Sequence, residues 1–364
     1  MRTAAEQDTV TTTLAQLTSL RVGGPVASLV QATSEEELVA TISAADAEGL
    51  PLLVLGGGSN VLAADTGFDG VVVRDARCGI AVESADACGG AAIRVPAGQV
   101  WDEVVLRAVA EGWRGIEALA GIPGSTGATP VQNVGAYGQE VAEVITSVRT
   151  WDRAAGRVRT FARSELGFGY RTSLLKQSLA DDGTGRAWQP TPRYVVLEVS
   201  FQMVLADTST PVRYPELART LDVPLGERAP SAEVREAVLG LRAGKGMVLD
   251  EADHDTWSAG SFFTNPILPA DRADRLPAEA PRFEAGAGMV KTSAAWLIDH
   301  AGFAKGYGLP GSVCLSTKHV LALTNRGGAS AAELLALARE VRDGVQMAFG
   351  IELVPEPVLV GLRL

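Results

Sequence analysis

Cysteine and histidine, which build most zinc and redox centres in proteins, are scarce in this sequence. It has three of each among 364 residues, and neither set shows the spacing of a metal site. We therefore predict no metal centre. The cysteines, Cys78, Cys88 and Cys314, are predicted to be small apolar packing residues in a reducing compartment.

Positive charge and long apolar runs are also lacking. The net charge is −11, which argues against a protein that binds the phosphate backbone of a nucleic acid. No apolar stretch approaches the roughly 20 residues of a membrane-spanning helix. Residues 1–20 lack the basic start and apolar stretch of a signal peptide. These absences predict a cytoplasmic protein that binds neither nucleic acid nor membrane.

Short apolar strands alternate with capped helices along the chain. The predicted helices run between Ser34 and Gly49, from Trp101 to Glu111, onward from Ser231 as an N-cap, and between Ser330 and Gly350. The predicted strands cover 52–55, 71–73 and 194–205. A chain of this length exceeds one ordinary hydrophobic core. We therefore expect an α+β protein of two or three domains, with a boundary near 206–211.

The first motif with chemical meaning is a glycine loop, Gly56-Gly57-Gly58-Ser59-Asn60, directly after the strand 52–55. Consecutive glycines permit positive φ and can turn successive N–H groups toward one anion. The loop is not a P-loop, because no Gly-Lys-Ser/Thr follows it. It is not a dinucleotide fingerprint either, because Asp and Gly at 65–70 break the required helix. A tight turn between two strands explains the glycines equally well.

A second segment, 121–138, contains five glycines and no charged residue. Loops usually lie in water and carry polar side chains. An uncharged segment of this length suggests backbone packed flat against a large planar ligand, and the alternative is a buried crossover rich in small residues. Two such segments early in the chain favour a bulky nucleotide cofactor.

Together with three later motifs, these segments closely resemble the UDP-N-acetylenolpyruvylglucosamine reductase family. The later motifs are Tyr170-Arg171-Thr172-Ser173-Leu174-Leu175-Lys176, Gly260-Ser261-Phe262-Phe263-Thr264-Asn265-Pro266 and Pro355-Glu356-Pro357. The resemblance extends from Leu17 to Leu364 with the motifs in the same order. Tyr214, in Arg213-Tyr214-Pro215-Glu216-Leu217, resembles the tyrosine loop of the longer class of these enzymes.

The resemblance implies a monomeric flavoenzyme, a UDP-N-acetylmuramate dehydrogenase, that makes a peptidoglycan precursor and so serves cell shape and division. NADPH would reduce a noncovalent FAD, which would then reduce the enolpyruvyl group of UDP-N-acetylglucosamine enolpyruvate. The absence of Cys and His from 56–70 agrees with noncovalent flavin. Two alternatives are an alcohol or sugar oxidase with the same flavin fold, and a noncatalytic sensor of flavin or sugar nucleotide.

The family also implies a fold and a cofactor site. The fold is a bipartite FAD-binding domain of the PCMH or vanillyl-alcohol-oxidase type, followed by a C-terminal α+β substrate domain. The implied bounds are 1–75 with 350–364, 76–205, and 206–349, and residues 351–364 return to the first part. The residues implied to hold FAD are Gly56, Gly57, Gly58, Ser59, Asn60, Val61, Pro123, Gly124, Ser125, Gly127, Ala128, Pro130, Asn133, Gly135, Ala136 and Tyr137.

Three residues match the family's catalytic positions. Arg171 is the cation for a carboxylate that gains charge, Ser261 is the proton donor, and Glu356 is a carboxyl partner that helps while protonated. The residues implied to bind substrate are Tyr170, Tyr214, Lys245 and Asn265, the last three at the diphosphate. The chain departs from the family at Thr264, where many relatives carry Lys or Arg, and at Thr292, Ser293 and Ala295.

Overall fold

The computed structural model describes residues 12–180, 182–183, 185 and 187–364. The first eleven residues, which begin the predicted first subdomain and the segment searched for a signal peptide, lie outside the described residues. The helices are α1 (Leu14–Leu17), α2 (Glu35–Glu48), α3 (Trp101–Ala110), α4 (Leu174–Gln177), α5 (Pro215–Leu221), α6 (Ser231–Gly244), α7 (Ala270–Ala273), α8 (Ala294–His300) and α9 (Ala331–Phe349). The strands are β1 (Val26–Ala32), β2 (Leu52–Leu55), β3 (Val61–Ala63), β4 (Phe68–Asp75), β5 (Ala81–Asp86), β6 (Gly90–Pro96), β7 (Trp113–Arg114), β8 (Gly135–Ala136), β9 (Gln139–Glu140), β10 (Ile145–Asp152), β11 (Arg157–Ala162), β12 (Tyr194–Leu205), β13 (Ile267–Pro269), β14 (Arg282–Glu284), β15 (Met289–Thr292), β16 (Val313–Leu315), β17 (Leu323–Asn325) and β18 (Val358–Val360).

The predicted helix caps are mostly confirmed. The Ser34 hydroxyl accepts a hydrogen bond from the Glu37 N–H, and Gly49 ends α2 in the left-handed region with φ 68°. The Glu37 carboxylate, however, accepts from the Thr33 N–H at 2.8 Å, so the reciprocal bond lies one residue earlier than the capping box predicts. Ser330 caps α9 as predicted, with the full reciprocal box.

Two local predictions were wrong. Pro230, not Ser231, is the N-cap of α6, and the buried Ser231 hydroxyl has no hydrogen-bond partner among the described residues. Ser231 already has helical backbone geometry, whereas a capping side chain needs the extended geometry of an N-cap residue. Cys78 and Cys88 are exposed, and only Cys314 is buried. The two exposed cysteines lie between strands, where connections run over the surface.

The first part of the fold is a parallel sheet of order β1-β4-β2. The chain's last strand, β18, returns to this part and pairs in parallel with β3, with Val358 opposite Val61. Helix α2 covers one face of the sheet, and its buried Leu38 and Ile42 share a hydrophobic cluster with Leu197 of β12. The first part is therefore packed directly against the second.

The second part is an antiparallel sheet of order β11-β10-β12-β6-β5. Helix α3 packs on it through Trp101, whose ring centroid lies 6.0 Å from that of Phe201. The same cluster contains Leu217 of α5 and Val234 of α6. The apolar faces of α5 and α6, which follow the predicted boundary near 206, are therefore buried against the second sheet.

The third part holds a small sheet of order β13-β15-β14, the hairpin β16-β17, and the helices α8 and α9. Its cluster includes Phe262, Leu334 and Val341, and also Leu20 and Leu62 from the first part. The domain bounds given above remain a prediction. No helix in the described ranges is both long and apolar enough to span a bilayer.

Candidate active site

The first glycine loop connects β2 to β3. In the part of the chain that the structure describes, the N–H groups of Gly57, Gly58, Ser59 and Asn60 donate no hydrogen bond to another residue. All four residues line a cleft between the first and second parts of the fold. Free, neighbouring N–H groups that face a cleft form a site suited to an anion such as a pyrophosphate.

The two glycine segments are in direct backbone contact. A Cβ on Gly57 would lie 2.7 Å from the Cα of Gly124, and a Cβ on Gly56 would lie 2.5 Å from the Ser125 hydroxyl. The Ser59 hydroxyl also donates to the Pro123 carbonyl at 3.0 Å. The glycines are therefore required by the close approach of the two segments, which together form the floor of the cleft.

The remaining walls of the cleft are mainly apolar. They include Leu53, Leu55, Val131, Leu179 and Val196. Among the lining residues in the described ranges there is no cysteine or histidine. An anion-binding loop beside an apolar slot fits a flavin nucleotide, with a phosphate group at one end and a ring system against the walls.

The predicted cofactor residues fall into two groups. Those that line the cleft are Gly56, Gly57, Gly58, Ser59, Asn60, Val61, Gly124, Ser125, Gly127 and Ala128, and those that do not are Pro123, Pro130, Asn133, Gly135, Ala136 and Tyr137. The Asn133 side chain is fully engaged elsewhere: its Nδ2 donates to Glu140 and to the Gly169 carbonyl, and its Oδ1 accepts from the Ala142 N–H. Its side chain thus braces the loop before Arg171.

Arg171 adopts a left-handed conformation with φ 52°, which is unfavourable for a residue with a Cβ. Its Nη2 donates to the Gly135 carbonyl at 2.8 Å, and its own carbonyl accepts from Lys176 Nζ at 3.1 Å. Its Nε lies 3.2 Å from Oε1 of Glu356, yet Nε makes no well-aligned hydrogen bond within the described part of the chain. The contact with Glu356 is therefore an ion pair by distance, with one donor of the guanidinium still free for another acceptor.

Glu356 lies just before β18 and is held by its backbone. Its N–H donates to the Phe262 carbonyl at 2.8 Å, and its carbonyl accepts from Asn60 Nδ2 at 3.3 Å. Burial raises the pKa of the Glu356 carboxyl, while the charges of Arg171 and Lys176 oppose that rise. This carboxyl is thus closer to its protonated form at neutral pH than an exposed glutamate.

Ser261 lies beside the segment that carries Glu356. An isolated antiparallel bridge joins Phe263 to Pro355, so the two segments run alongside each other. Gly260, immediately before Ser261, has φ 71°. The Ser261 hydroxyl is partly exposed and makes no hydrogen bond within the described residues. It is available to a ligand in a way that the capping serines of this fold are not.

Tyr170 connects the second part of the fold to the third. Its hydroxyl accepts a hydrogen bond from the Asn265 N–H at 3.2 Å, and its ring lies 4.7 Å from Lys291 Nζ. Burial raises the pKa of the Tyr170 hydroxyl. The side-chain oxygen of Asn265, Oδ1, accepts a hydrogen bond from the Ala294 N–H, which fixes the side-chain amide at the start of α8.

The remaining predicted substrate residues form a separate cluster with Tyr137. Tyr214 meets Tyr137 edge to face at 5.3 Å, and Lys245 Nζ lies 5.6 Å above the Tyr137 ring. Lys245 is ion-paired with Glu216. Burial lowers the pKa of Lys245, but the hydrogen bond to Glu216 together with the charges of Glu216, Tyr137 and Tyr214 raises it overall.

His319 lies close enough to this cluster that the charges of Lys245 and Glu216 affect its pKa. Burial, together with the nearby charges of Lys245 and Lys305, lowers the pKa of His319 to about 4. The imidazole is therefore neutral at pH 7. Sequence reasoning tested histidines only as metal ligands and missed this position.

The departures from the family pattern have local structural roles. Thr264 donates its N–H to the Val354 carbonyl at 3.0 Å. Thr292 is fully buried and donates its hydroxyl to the Pro281 carbonyl. Ser293 caps α8 by accepting from the Trp296 N–H.

Two further residues near the site, Lys176 and Glu216, were not predicted from the sequence, although both stand inside quoted motifs. Their partners are distant in sequence.

Comparisons with known proteins agree with this geometry. A family model for an FAD binding domain matches residues 26–162, and one described as UDP-N-acetylenolpyruvoylglucosamine reductase, C-terminal domain, matches 251–360. Relatives named UDP-N-acetylenolpyruvoylglucosamine reductase from Cutibacterium acnes and Nocardia farcinica are each 55% identical, over 96% of this chain and 89% of theirs. The crystal structure of the enzyme of that name from Thermus caldophilus covers 96% of this chain and 97% of its own, with a TM-score of 0.60 and 26% identity. The chain therefore belongs to the UDP-N-acetylenolpyruvoylglucosamine reductase family.

Proposed function

We propose that this protein is an FAD-dependent oxidoreductase of peptidoglycan precursor synthesis that reduces UDP-N-acetylglucosamine enolpyruvate to UDP-N-acetylmuramate at the expense of NADPH. The observation that carries the proposal is the meeting of Arg171 and Glu356, at 3.2 Å, beside a cleft suited to a flavin. Family membership at 55% identity supports the reaction.

The proposed chemistry assigns one task to each residue at the centre. When bound, FAD supplies the hydride for the methylene carbon of the enolpyruvyl ether. Arg171 stabilises the negative charge that then spreads into the substrate carboxylate, since its planar guanidinium is permanently charged. Glu356, whose carboxyl has a pKa raised by burial, donates a hydrogen bond to the same group when it is protonated. Ser261 gives its proton to the neighbouring carbon and regains one from water.

The substrate's diphosphate is assigned to the cluster of Tyr214 and Lys245, and Asn265 is assigned to the same end of the substrate. The ammonium of Lys245 suits a phosphate oxygen. Tyr170 is assigned to the substrate between this cluster and Arg171. The 40% exposure of Tyr214, in a motif that resembles the tyrosine loop, supports assignment to the longer, tyrosine-loop class. We further propose that the enzyme acts as a cytoplasmic monomer.

The test is the pair of half-reactions followed separately by stopped-flow absorbance. The purified protein is expected to be yellow, to release FAD on acid precipitation, and to bleach on anaerobic NADPH but not on simple alcohols or sugars. Adding the enolpyruvyl substrate should restore the colour and yield UDP-N-acetylmuramate by mass spectrometry. Bleaching by an alcohol or sugar would favour an oxidase instead, and tight binding without turnover would favour a sensor.

A further inference from the structure

Lys176 stands in the wall of the flavin cleft, and its position is fixed by short-range structure. It lies in α4, which Ser173 caps by accepting from the Lys176 N–H at 3.2 Å. The Ser173 hydroxyl in turn donates to the Val131 carbonyl at 2.6 Å. Because Ser173 is itself fully buried, α4 is anchored to the second glycine segment and the lysine side chain starts from a rigid base.

Lys176 is also the cationic side chain of the cleft. Among the lining residues in the described ranges, no other lysine and no arginine is present. Asp75, a carboxylate that lines the same cleft, is already paired with Arg77 at 2.6 Å. Lys176 Nζ donates to two uncharged oxygens, Gln132 Oε1 at 3.2 Å and the Arg171 carbonyl at 3.1 Å. An ammonium has three donors, so one remains for a ligand.

The positive charge of Lys176 is destabilised by partial burial. Burial lowers the pKa of the Lys176 ammonium, with the charge of Glu356 opposing the shift and that of Arg171 adding to it. A partly buried cation without a carboxylate in ion-pair range is unfavourable unless an anion meets it during function. Glu356, the carboxylate whose charge reaches Lys176, is itself paired with Arg171, so a ligand could supply the anion.

We propose that Lys176 contacts the flavin ring and stabilises the negative charge that the ring gains on reduction. This inference rests on the proposed function. A hydride from NADPH carries two electrons and one proton, so its transfer to a neutral flavin leaves one net negative charge on the ring. A cation near the ring stabilises that charge and raises the reduction potential. The flavin pyrophosphate is the other anion within the same cofactor, but its charge does not change on reduction.

The test compares Lys176→Gln and Lys176→Arg with the parent holoenzyme. Lys291→Gln is the matched control, because Lys291 lies over Tyr170 and does not line the cleft. The readouts are the midpoint potential of bound flavin, measured against redox dyes, and the release of oxidised FAD on dilution. We expect Lys176→Gln to bind reduced flavin about tenfold more weakly relative to oxidised flavin, which lowers the potential by about 30 mV for a two-electron couple. Lys176→Arg should restore most of the difference, and Lys291→Gln should show none.

Two results would overturn the inference. If Lys176→Gln releases FAD more readily but keeps the parent potential, the lysine binds the pyrophosphate. If neither readout changes, the ammonium does not reach the cofactor. Failure of the proposed function looks different, because then the parent itself would carry no flavin or its flavin would not be re-oxidised by the enolpyruvyl substrate.

Discussion

Arg171 and Glu356 meet at 3.2 Å between Nε and Oε1, although they are far apart in the sequence. Arg171 is held from the second part through the Gly135 carbonyl. Glu356 is held by Asn60 of the first part and Phe262 of the third. All three parts of the fold are therefore needed to build this one contact.

Removing either member of this pair should affect only the second half-reaction. We expect Arg171→Ala and Glu356→Ala to slow reduction of the enolpyruvyl substrate by about 10²–10³-fold, as for lost electrostatic stabilisation of a developing charge. Flavin bleaching by NADPH should keep its parent rate. Arg213→Ala is the control, since Arg213 is more than half exposed and forms an ion pair with Glu143. Equal losses in both half-reactions would mean that the pair shapes the cleft rather than the intermediate.

The raised pKa of Glu356 makes stability depend on pH. The folded protein holds this proton more tightly than the unfolded chain. The corresponding stability is present below the ordinary glutamate pKa and is lost as pH rises through the raised folded value. Glu356→Gln has no proton to lose, so its unfolding free energy relative to the parent should increase between pH 4 and pH 8. Urea denaturation across this range measures the difference.

Glu352→Gln is the control for the pH experiment, because Glu352 is exposed and precedes the same segment. Its unfolding free energy should track that of the parent. A Glu356→Gln variant that behaves in the same way as Glu352→Gln at every pH would show that the pKa of the Glu356 carboxyl is not raised in the folded protein.

Ser261 can be tested by removing a single oxygen. In Ser261→Ala, NADPH should bleach the flavin normally, and re-oxidation by substrate should slow by about 10²–10⁴-fold, the usual worth of a positioned acid. Ser261→Cys should recover part of the rate because a thiol can also donate a proton. Stopped-flow absorbance in water and in deuterated solvent reports proton delivery directly. Re-oxidation at the parent rate in Ser261→Ala would place the proton donor elsewhere.

Lys245 and Glu216 form an ion pair, and replacing the two members should change the KM for the sugar nucleotide in opposite directions. Lys245→Ala should raise the KM for the sugar nucleotide about 10- to 100-fold, as expected for loss of a desolvated charged hydrogen bond, and should leave the KM for NADPH less affected. Tyr214→Phe should act in the same direction. Glu216→Gln should lower the KM for the sugar nucleotide, because the carboxylate competes with phosphate for the ammonium.

Lys318→Ala is the matched control for Lys245, since Lys318 also pairs with one carboxylate, that of Asp253. It should leave both KM values unchanged. If Glu216→Gln raises the KM for the sugar nucleotide as Lys245→Ala does, Glu216 positions the lysine instead of competing for it.

Gly57 is expected to tolerate no larger side chain. A Cβ there meets the Gly124 backbone at 2.7 Å, so Gly57→Val should push the two glycine segments apart, lower the melting temperature and lose bound FAD. Gly240→Ala, in α6 with no atom within 4 Å of the added carbon, is the control and should retain both. Full flavin occupancy in Gly57→Val, measured from the visible absorbance, would rule out this floor as the flavin site.

The sequence by itself determined features that depend on neighbouring residues. The cap of α2, the bounds of β12 and the capping box of α9 follow from residues within a few positions of each other. The motifs that carry Arg171, Ser261 and Glu356 were also readable, because each is a contiguous run. The sequence explained Gly57 only in part. It suggested a loop that binds an anion, and the structure adds that a side chain at Gly57 would collide with Gly124.

Only the tertiary structure decided which side chains meet. Asn133 is a predicted cofactor residue, and only the fold shows that its side chain also bonds to Glu140, Gly169 and Ala142. Helices α5 and α6 lie in the predicted substrate domain, and only the fold shows that their apolar faces pack on the second sheet. Burial and electrostatic pairing are set by contacts between residues far apart in sequence, and a local pattern carries no information about such partners. For the same reason, the sequence did not indicate a role for Lys176, and only the fold shows that it lines the cleft.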